Sequence, residues 1–189
     1  MKDQTVQSFR EFLLGLGLDQ ELDPELARTP ERFTELLREL FSGLHEDPPE
    51  MSTFPLPPGK EAPGPVLLAA LPFYSLCVHH LLPFFGTIDV AYLPGEEMVG
   101  FGSIGRVVNH FARRPQVQER MIAQIADYLQ ETLQPRGLLI RLRARQLCME
   151  MRGAEKTGVL ISLAHRGVLR DGSLRGELLQ QFQRAEQPL

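Results

Sequence analysis

The chain has 189 residues, 43% of them hydrophobic, and a formal charge of −4. That is enough to bury one sizeable core, and the sign of the charge argues against a general nucleic-acid surface. No apolar run is long enough to span a bilayer and residues 1–4 open no hydrophobic signal, so a cytoplasmic protein that meets neither membrane nor nucleic acid is expected. An anionic small molecule stays possible, because a few arginines focused in a cleft dominate the local field.

Phe9, Phe12, Leu13 and Leu16 recur at helical spacing and stop around Gly15-Leu16-Gly17, predicting a short N-terminal helix. A second follows, with Thr29 as N-cap, Pro30 in the first helical position and an apolar stripe of Phe33, Leu36, Leu37, Leu40, Phe41 and Leu44. Residues 47–65 carry seven of the fifteen prolines and little periodicity, so they read as an extended linker. The chain thus divides into a helical region over 1–46, the linker, and a main domain over 66–189.

Within that domain Val66 to Ser75 and Phe84 to Leu93 read as strands, joined by a hairpin through Cys77-Val78-His79-His80. Ser103 to Arg113 and Val117 to Leu133 read as amphipathic helices, the second ended by Pro135 and Gly137. Leu139 to Met151 and Val159 to Leu169 supply two further strands, and Ser173 to Phe182 a closing helix. Strands in pairs around a helical pair predict an α+β fold with an antiparallel sheet covered by two helices. Along the strand from Leu139, alternation places Ile140, Leu142, Ala144, Gln146, Cys148 and Glu150 on one face, and Arg141, Arg143 and Arg145 on the other.

Cys77 stands beside a histidine pair, and the only other cysteine is Cys148. Two thiolates and one imidazole, if the fold joins them, fill three corners of a tetrahedron around Zn²⁺ and leave the fourth open, as catalytic zinc sites do. The rival reading makes both cysteines small core hydrophobes. Two cysteines in a chain of this length form no disulfide framework.

Three segments then carry a family resemblance. Phe73-Tyr74-Ser75-Leu76-Cys77-Val78-His79-His80-Leu81-Leu82-Pro83-Phe84-Phe85-Gly86, Phe111-Ala112-Arg113-Arg114-Pro115-Gln116-Val117-Gln118-Glu119-Arg120 and Cys148-Met149-Glu150-Met151-Arg152-Gly153 resemble GTP cyclohydrolase I, in family order. Arg28-Thr29-Pro30-Glu31-Arg32 and Phe41-Ser42-Gly43-Leu44 extend the match, which runs from about residue 22 to about residue 182. The resemblance implies the tunnelling fold and a zinc enzyme that converts GTP to 7,8-dihydroneopterin triphosphate with release of formate, in pterin or folate synthesis. It also implies sites between subunits of a ring-shaped homo-oligomer, a decamer or a related ring.

By the same resemblance Cys77, His80 and Cys148 ligate zinc, His79 moves protons, and Gln118 and Glu119 recognise the guanine edge. Arg32, Arg106 and Arg152 correspond to phosphate or ribose contacts, for which the planar guanidinium is suited. Three positions depart from the family pattern. Gln146 replaces a histidine thought to act as general acid, and an amide hydrogen-bonds a ring nitrogen but delivers no proton near neutrality. Gly102-Ser103 replaces a Ser-Lys pair, removing a positive charge from the phosphate side while leaving Ser103 at a helix N-terminus as a donor. Val78 replaces a glutamate of the metal loop, removing a carboxylate that could orient ligands. These departures keep a second enzyme reading open, a paralogue acting on another purine or stopping at another stage. A non-catalytic guanine-nucleotide-binding subunit is the third reading. His45, His110 and His165 match no family site; His110 reads as a surface residue, and His165 is the nearest candidate to replace the missing acid. Lys156 falls where the register is lost and receives no role.

Overall fold

The computed structural model describes residues 2–19, 21–56 and 63–185. The middle of the proline-rich stretch lies outside them. The chain forms two compact units, Met1–Ser42 and Gly43–Leu189. The first contains α1 (Lys2–Gly15) and α2 (Thr29–Leu40). Phe9 stacks on Phe33 at 4.4 Å between ring centroids, and Arg10 pairs with Glu31 at 3.2 Å. The helix begins at Thr29 itself with Arg28 in the cap position, one residue earlier than expected, and Pro30 keeps its place in the first turn where its missing N–H costs nothing.

The larger unit opens with β1 (Thr53–Pro55), inside the stretch read as linker. It is followed by β2 (Val66–Cys77), β3 (Pro83–Leu93), β4 (Glu97–Val99), α3 (Phe101–Ala112), β5 (Pro115–Gln116), α4 (Gln118–Leu133) and β6 (Gly137–Gln146). A single turn α5 (Leu147–Glu150), then β7 (Leu160–Gly167) and α6 (Ser173–Arg184) complete it. β1 pairs with β4, and the remaining strands form one sheet in the order β5-β2-β3-β6-β7, antiparallel except for the short β2–β5 contact. Strand pair, helix pair, strand pair is the α+β tunnelling fold expected from the sequence. Among the described residues no helix is long and apolar enough to cross a membrane.

Periodicity explains the packing. Ile104, Val107, Val108 and Phe111 of α3 and Met121, Ile122, Ile125 and Leu129 of α4 are buried in one cluster with Phe73, Phe84, Ile88, Val90, Ile140 and Leu142 of the sheet. On the opposite face Leu178 and Phe182 of α6 cover Ala91, Leu93 and Leu139. That face also buries Arg141, which donates to Asp89 at 2.8 Å and lies over the Phe182 ring. The second Asp89 oxygen accepts from the backbone N–H of Ala70 at 2.8 Å, where the β2–β3 register slips at a bulge. The carboxylate therefore serves two strands at once, satisfying a backbone group that the bulge would leave unpaired.

Gly86 shows how tightly β3 and β6 approach. A Cβ there would lie 1.9 Å from the carbonyl oxygen of Arg143 and 2.8 Å from Cα of Ala144, so only glycine fits. Two residues before it, Phe84 pairs in register with Gln146, and the close approach thus holds the strand end that carries Gln146.

The strand read through to Met151 ends at Gln146. Cys148 and Glu150 lie on α5 and do not share a strand face with Gln146. The turn is drawn in by Glu150, which pairs with Arg145 through two hydrogen bonds. His110 is buried, not on the surface; its ring Nε2 accepts from Arg114 at 2.6 Å. His165 pairs with Leu139, seven residues along β6 from Gln146, roughly 23 Å at about 3.3 Å per residue. Within one chain it cannot act as the acid there.

Candidate metal centre and base pocket

Cys77 closes β2, and the backbone then folds into a tight turn. The Cys77 carbonyl accepts from Leu81 N–H at 2.8 Å, its N–H donates to Leu82 O at 2.9 Å, and Leu81 takes a left-handed φ of 52°. Such a conformation costs energy in a leucine and persists only where surrounding bonds over-determine it. A further bond from Val78 N–H to Gln116 O at 2.8 Å ties the turn to β5. The parallel register pairs Cys77 with Gln116, so α4, starting at Gln118, begins beside the metal loop. Gln116 is itself held, its amide donating to Phe111 O and Gln124 and accepting from Arg120.

From the other side, α5 brings Cys148 in. The ligand atoms of Cys77, His80 and Cys148 all lie within 4.8 Å of one another, and Cys77 Sγ to His80 Nδ1 is 3.8 Å. A tetrahedral site with zinc–sulfur bonds of about 2.3 Å and zinc–nitrogen bonds of about 2.0 Å has edges of roughly 3.5–3.8 Å. The donor set fits zinc in type, and its Cys77–His80 separation is close to such an edge. Burial and the neighbouring Cys77 thiol push the Cys148 thiol up, while the Arg152 charge pulls it down. A divalent cation between the two sulfurs reverses that preference, because a ligating thiol is deprotonated.

A cavity of about 220 Å³ adjoins these ligands. Cys77, His79, Gln118, Glu119, Gln146 and Cys148 line it, with Phe84, Val117, Met149 and Leu160 as apolar walls. Drug-sized ligands occupy pockets of about 300–1,000 Å³, so this cavity has the size for a single heterocycle. His79 Nδ1 is 3.7 Å from Cys77 Sγ, and the His79 and His80 rings stand nearly perpendicular, 6.1 Å apart. His79 faces the cavity while His80 completes the ligand triad.

Glu119 is exposed, and Gln118 is buried. The Gln118 amide is fully committed: Nε2 donates to Leu160 O at 3.1 Å and to Ser162 Oγ at 3.0 Å, and Oε1 accepts from Gln146 Nε2 at 2.8 Å. In this chain it holds Gln146 in place. Sequence reasoning missed Ser162 and the Leu160 carbonyl, which come from β7 and carry no motif.

The phosphate-side residues are not brought into the cavity. Arg106 is exposed on α3 and donates to Ser103 Oγ at 2.9 Å; Ser103 is buried and its oxygen also accepts from Ser52 N–H at 3.0 Å. Ser103 therefore fastens Arg106 and the segment before β1. Arg152 is exposed just beyond α5, near enough to Cys148 to bear on its charge. Arg32 is exposed on α2, in the N-terminal unit.

Fold and site together define a class: an α+β protein with a Cys-His-Cys cluster spaced for a metal ion beside a pocket of base size. A family model for GTP cyclohydrolase I matches residues 5–183. Proteins named GTP cyclohydrolase 1 from Bacillus cytotoxicus and Bacillus mycoides are 40% and 39% identical over 182 residues, 94% of this chain and 94% of theirs. The chain belongs to the GTP cyclohydrolase I family. A solved archaeosine synthase QueF-Like structure in the apo form matches 55% of this chain and 96% of its own, at 11% identity and a TM-score of 0.38.

Proposed function

We propose that the protein hydrolyses and rearranges GTP to 7,8-dihydroneopterin triphosphate with release of formate, as a zinc-dependent enzyme of pterin or folate synthesis. The observation that carries this reading is that Cys77 and Cys148, clustered with His80, line one base-sized cavity together with Glu119. Zinc held there supplies Lewis acidity at the cavity wall. Glu119 accepts from the guanine N1–H and 2-amino group, a pattern adenine cannot satisfy. His79 moves protons at the cavity wall that it lines. Phe84 and Val117 wall the ring off from water.

The triphosphate extends beyond the cavity toward arginines supplied by the assembly. Both edges of the sheet support a homo-oligomer, a decamer or related ring. β7 has a partner on one side only among the described strands, and Leu160, Ile161 and Leu163 are exposed on it. β2 is paired by β5 only at Leu76 and Cys77, leaving its outer edge open over most of its length. Edge strands of this kind are templates for pairing, and two different open edges join head to tail into a ring. Arg106, Arg32 and Arg152 are the arginines proposed for phosphate or ribose contacts.

Gln146 favours one further reading, a paralogue that binds the same base but acts on a different purine substrate or stops at another stage. The test for both is zinc-loaded protein incubated with GTP, GMP and guanosine, with formate and pterin fluorescence followed together. Formate and pterin from GTP support the first reading; formate without pterin, or no reaction with bound GTP, supports the second.

A further inference from the structure

The hydrogen bonds around Gln146 have a direction, and it is set by the backbone of β7. The Leu160 backbone carbonyl accepts only, so the Gln118 group that meets it at 3.1 Å is Nε2. Ser162 Oγ receives the second hydrogen of the same nitrogen at 3.0 Å. Gln118 Oε1 must then face Gln146, and the Gln146 group 2.8 Å away must be Nε2. One fixed carbonyl on β7 thus orients two successive side-chain amides, 28 residues apart in sequence. The Gln146 carbonyl oxygen has no partner among the described residues, and Gln146 lines the cavity beside Cys148.

We infer that the Leu160–Ser162–Gln118 chain holds Gln146 as a hydrogen-bond acceptor toward the cavity, and so makes the site selective for a guanine-type ring that carries hydrogen on N7. Guanine itself presents acceptors at N7 and O6, against which an amide oxygen gains nothing. A ring hydrated at C8, or opened to a formamide, presents an N7–H that the oxygen accepts. Gln118 and Ser162 are positioning residues in this account, and Gln146 is the group that touches the ligand. The inference rests on the guanine-binding reading above and specifies which state of the ring the site holds best.

Two probes separate the cases, since neither releases formate: 8-oxo-GTP, which has N7–H, and 7-deaza-GTP, which has a carbon there. Zinc-loaded protein titrated with each is expected to bind 8-oxo-GTP about tenfold more tightly, the upper range for one net hydrogen bond. In Gln146→Met the ratio should fall to about twofold with zinc content unchanged. Ser162→Ala should lower the ratio in the same direction and Ser162→Thr should restore it, a rescue that loss of strand packing alone would not produce. Equal binding of the two probes by the wild type, or a preference that survives in Gln146→Met, overturns the inference while leaving guanine binding intact. Failure of both probes to bind, in protein that holds zinc, overturns the guanine reading and this inference with it.

Discussion

Cys77 and Gln116 lie side by side on parallel-paired strands, and this pairing builds the site. It sets the metal loop against the start of α4, so that a ligand sulfur and the Glu119 carboxylate line one cavity of a single chain. The β2–β5 contact brings the Cys77 loop and the start of α4 together within one chain.

The metal centre predicts one zinc per chain. Removing the Cys148 thiol leaves one thiolate and one imidazole, too few for a tight site, so Cys148→Ser should lose its zinc during dialysis while the wild type retains about one equivalent. Metal analysis of the two proteins by mass spectrometry checks this. Full occupancy in the variant would remove Cys148 from the ligand set.

Base choice turns on Glu119. Its carboxylate is expected to select guanine over adenine nucleotides, so Glu119→Gln should weaken guanine-nucleotide binding by about 1.5–3 kcal/mol, the range for a hydrogen bond to a charged group. Adenine-nucleotide binding should not change by a comparable amount. Calorimetric titration of both nucleotides into both proteins gives the comparison, and equal affinity of the wild type for the two bases would remove the role.

The elements that carry this site were legible in the sequence, whereas the roles of its residues were implied by the family resemblance. Cys77, His79 and His80 share one loop, Gln118 and Glu119 share one helix start, and periodicity placed the strands and helices that carry them. Illegible was whatever depends on a non-local partner. The strand alternation extended through Cys148 because nothing in Gln146-Leu147-Cys148-Met149 breaks it; the chain turns there because Glu150 reaches back to Arg145. His110 reads as a polar residue on a helix, yet it is buried beside Arg114 and toward Glu46 and Asp47. Ser162 and the Leu160 carbonyl act through hydrogen bonds over 44 and 42 residues of sequence, a separation at which composition and periodicity carry no signal.

His110 predicts an acid-sensitive contribution to stability. Burial, joined by the Arg114 guanidinium, holds its pKa below the usual value against the opposing pull of Glu46 and Asp47. The folded state therefore resists a proton that the unfolded chain accepts near pH 6.5. This contribution is fully present above that pH and is lost as pH falls through the lower folded pKa. Thermal unfolding of wild type and His110→Gln, which keeps an acceptor for Arg114, should show the wild type losing stability more steeply below about pH 6.5. Parallel curves across that window would assign the acid sensitivity to other groups.

Gln146 gives the sharpest test of the proposed chemistry. Positioned acid–base catalysis is worth about 10² to 10⁴ in rate, and an amide offers only hydrogen bonds, so turnover of GTP by the wild type should be slow. Gln146→His places an imidazole opposite Phe84, at the end of β6 and at the cavity wall. There Gln118 Oε1, already fixed as an acceptor by Leu160 and Ser162, receives one ring N–H and directs the other nitrogen inward. The variant should therefore release formate from GTP faster than the wild type, with zinc content unchanged, in a single-turnover assay of both proteins. A wild type already fast on GTP and slowed by the substitution would show that another group supplies the proton; His79 is then the candidate, since it is the histidine that lines this cavity. No formate from either protein, with zinc and GTP both bound, would move the chain to the reading in which a different purine is the substrate.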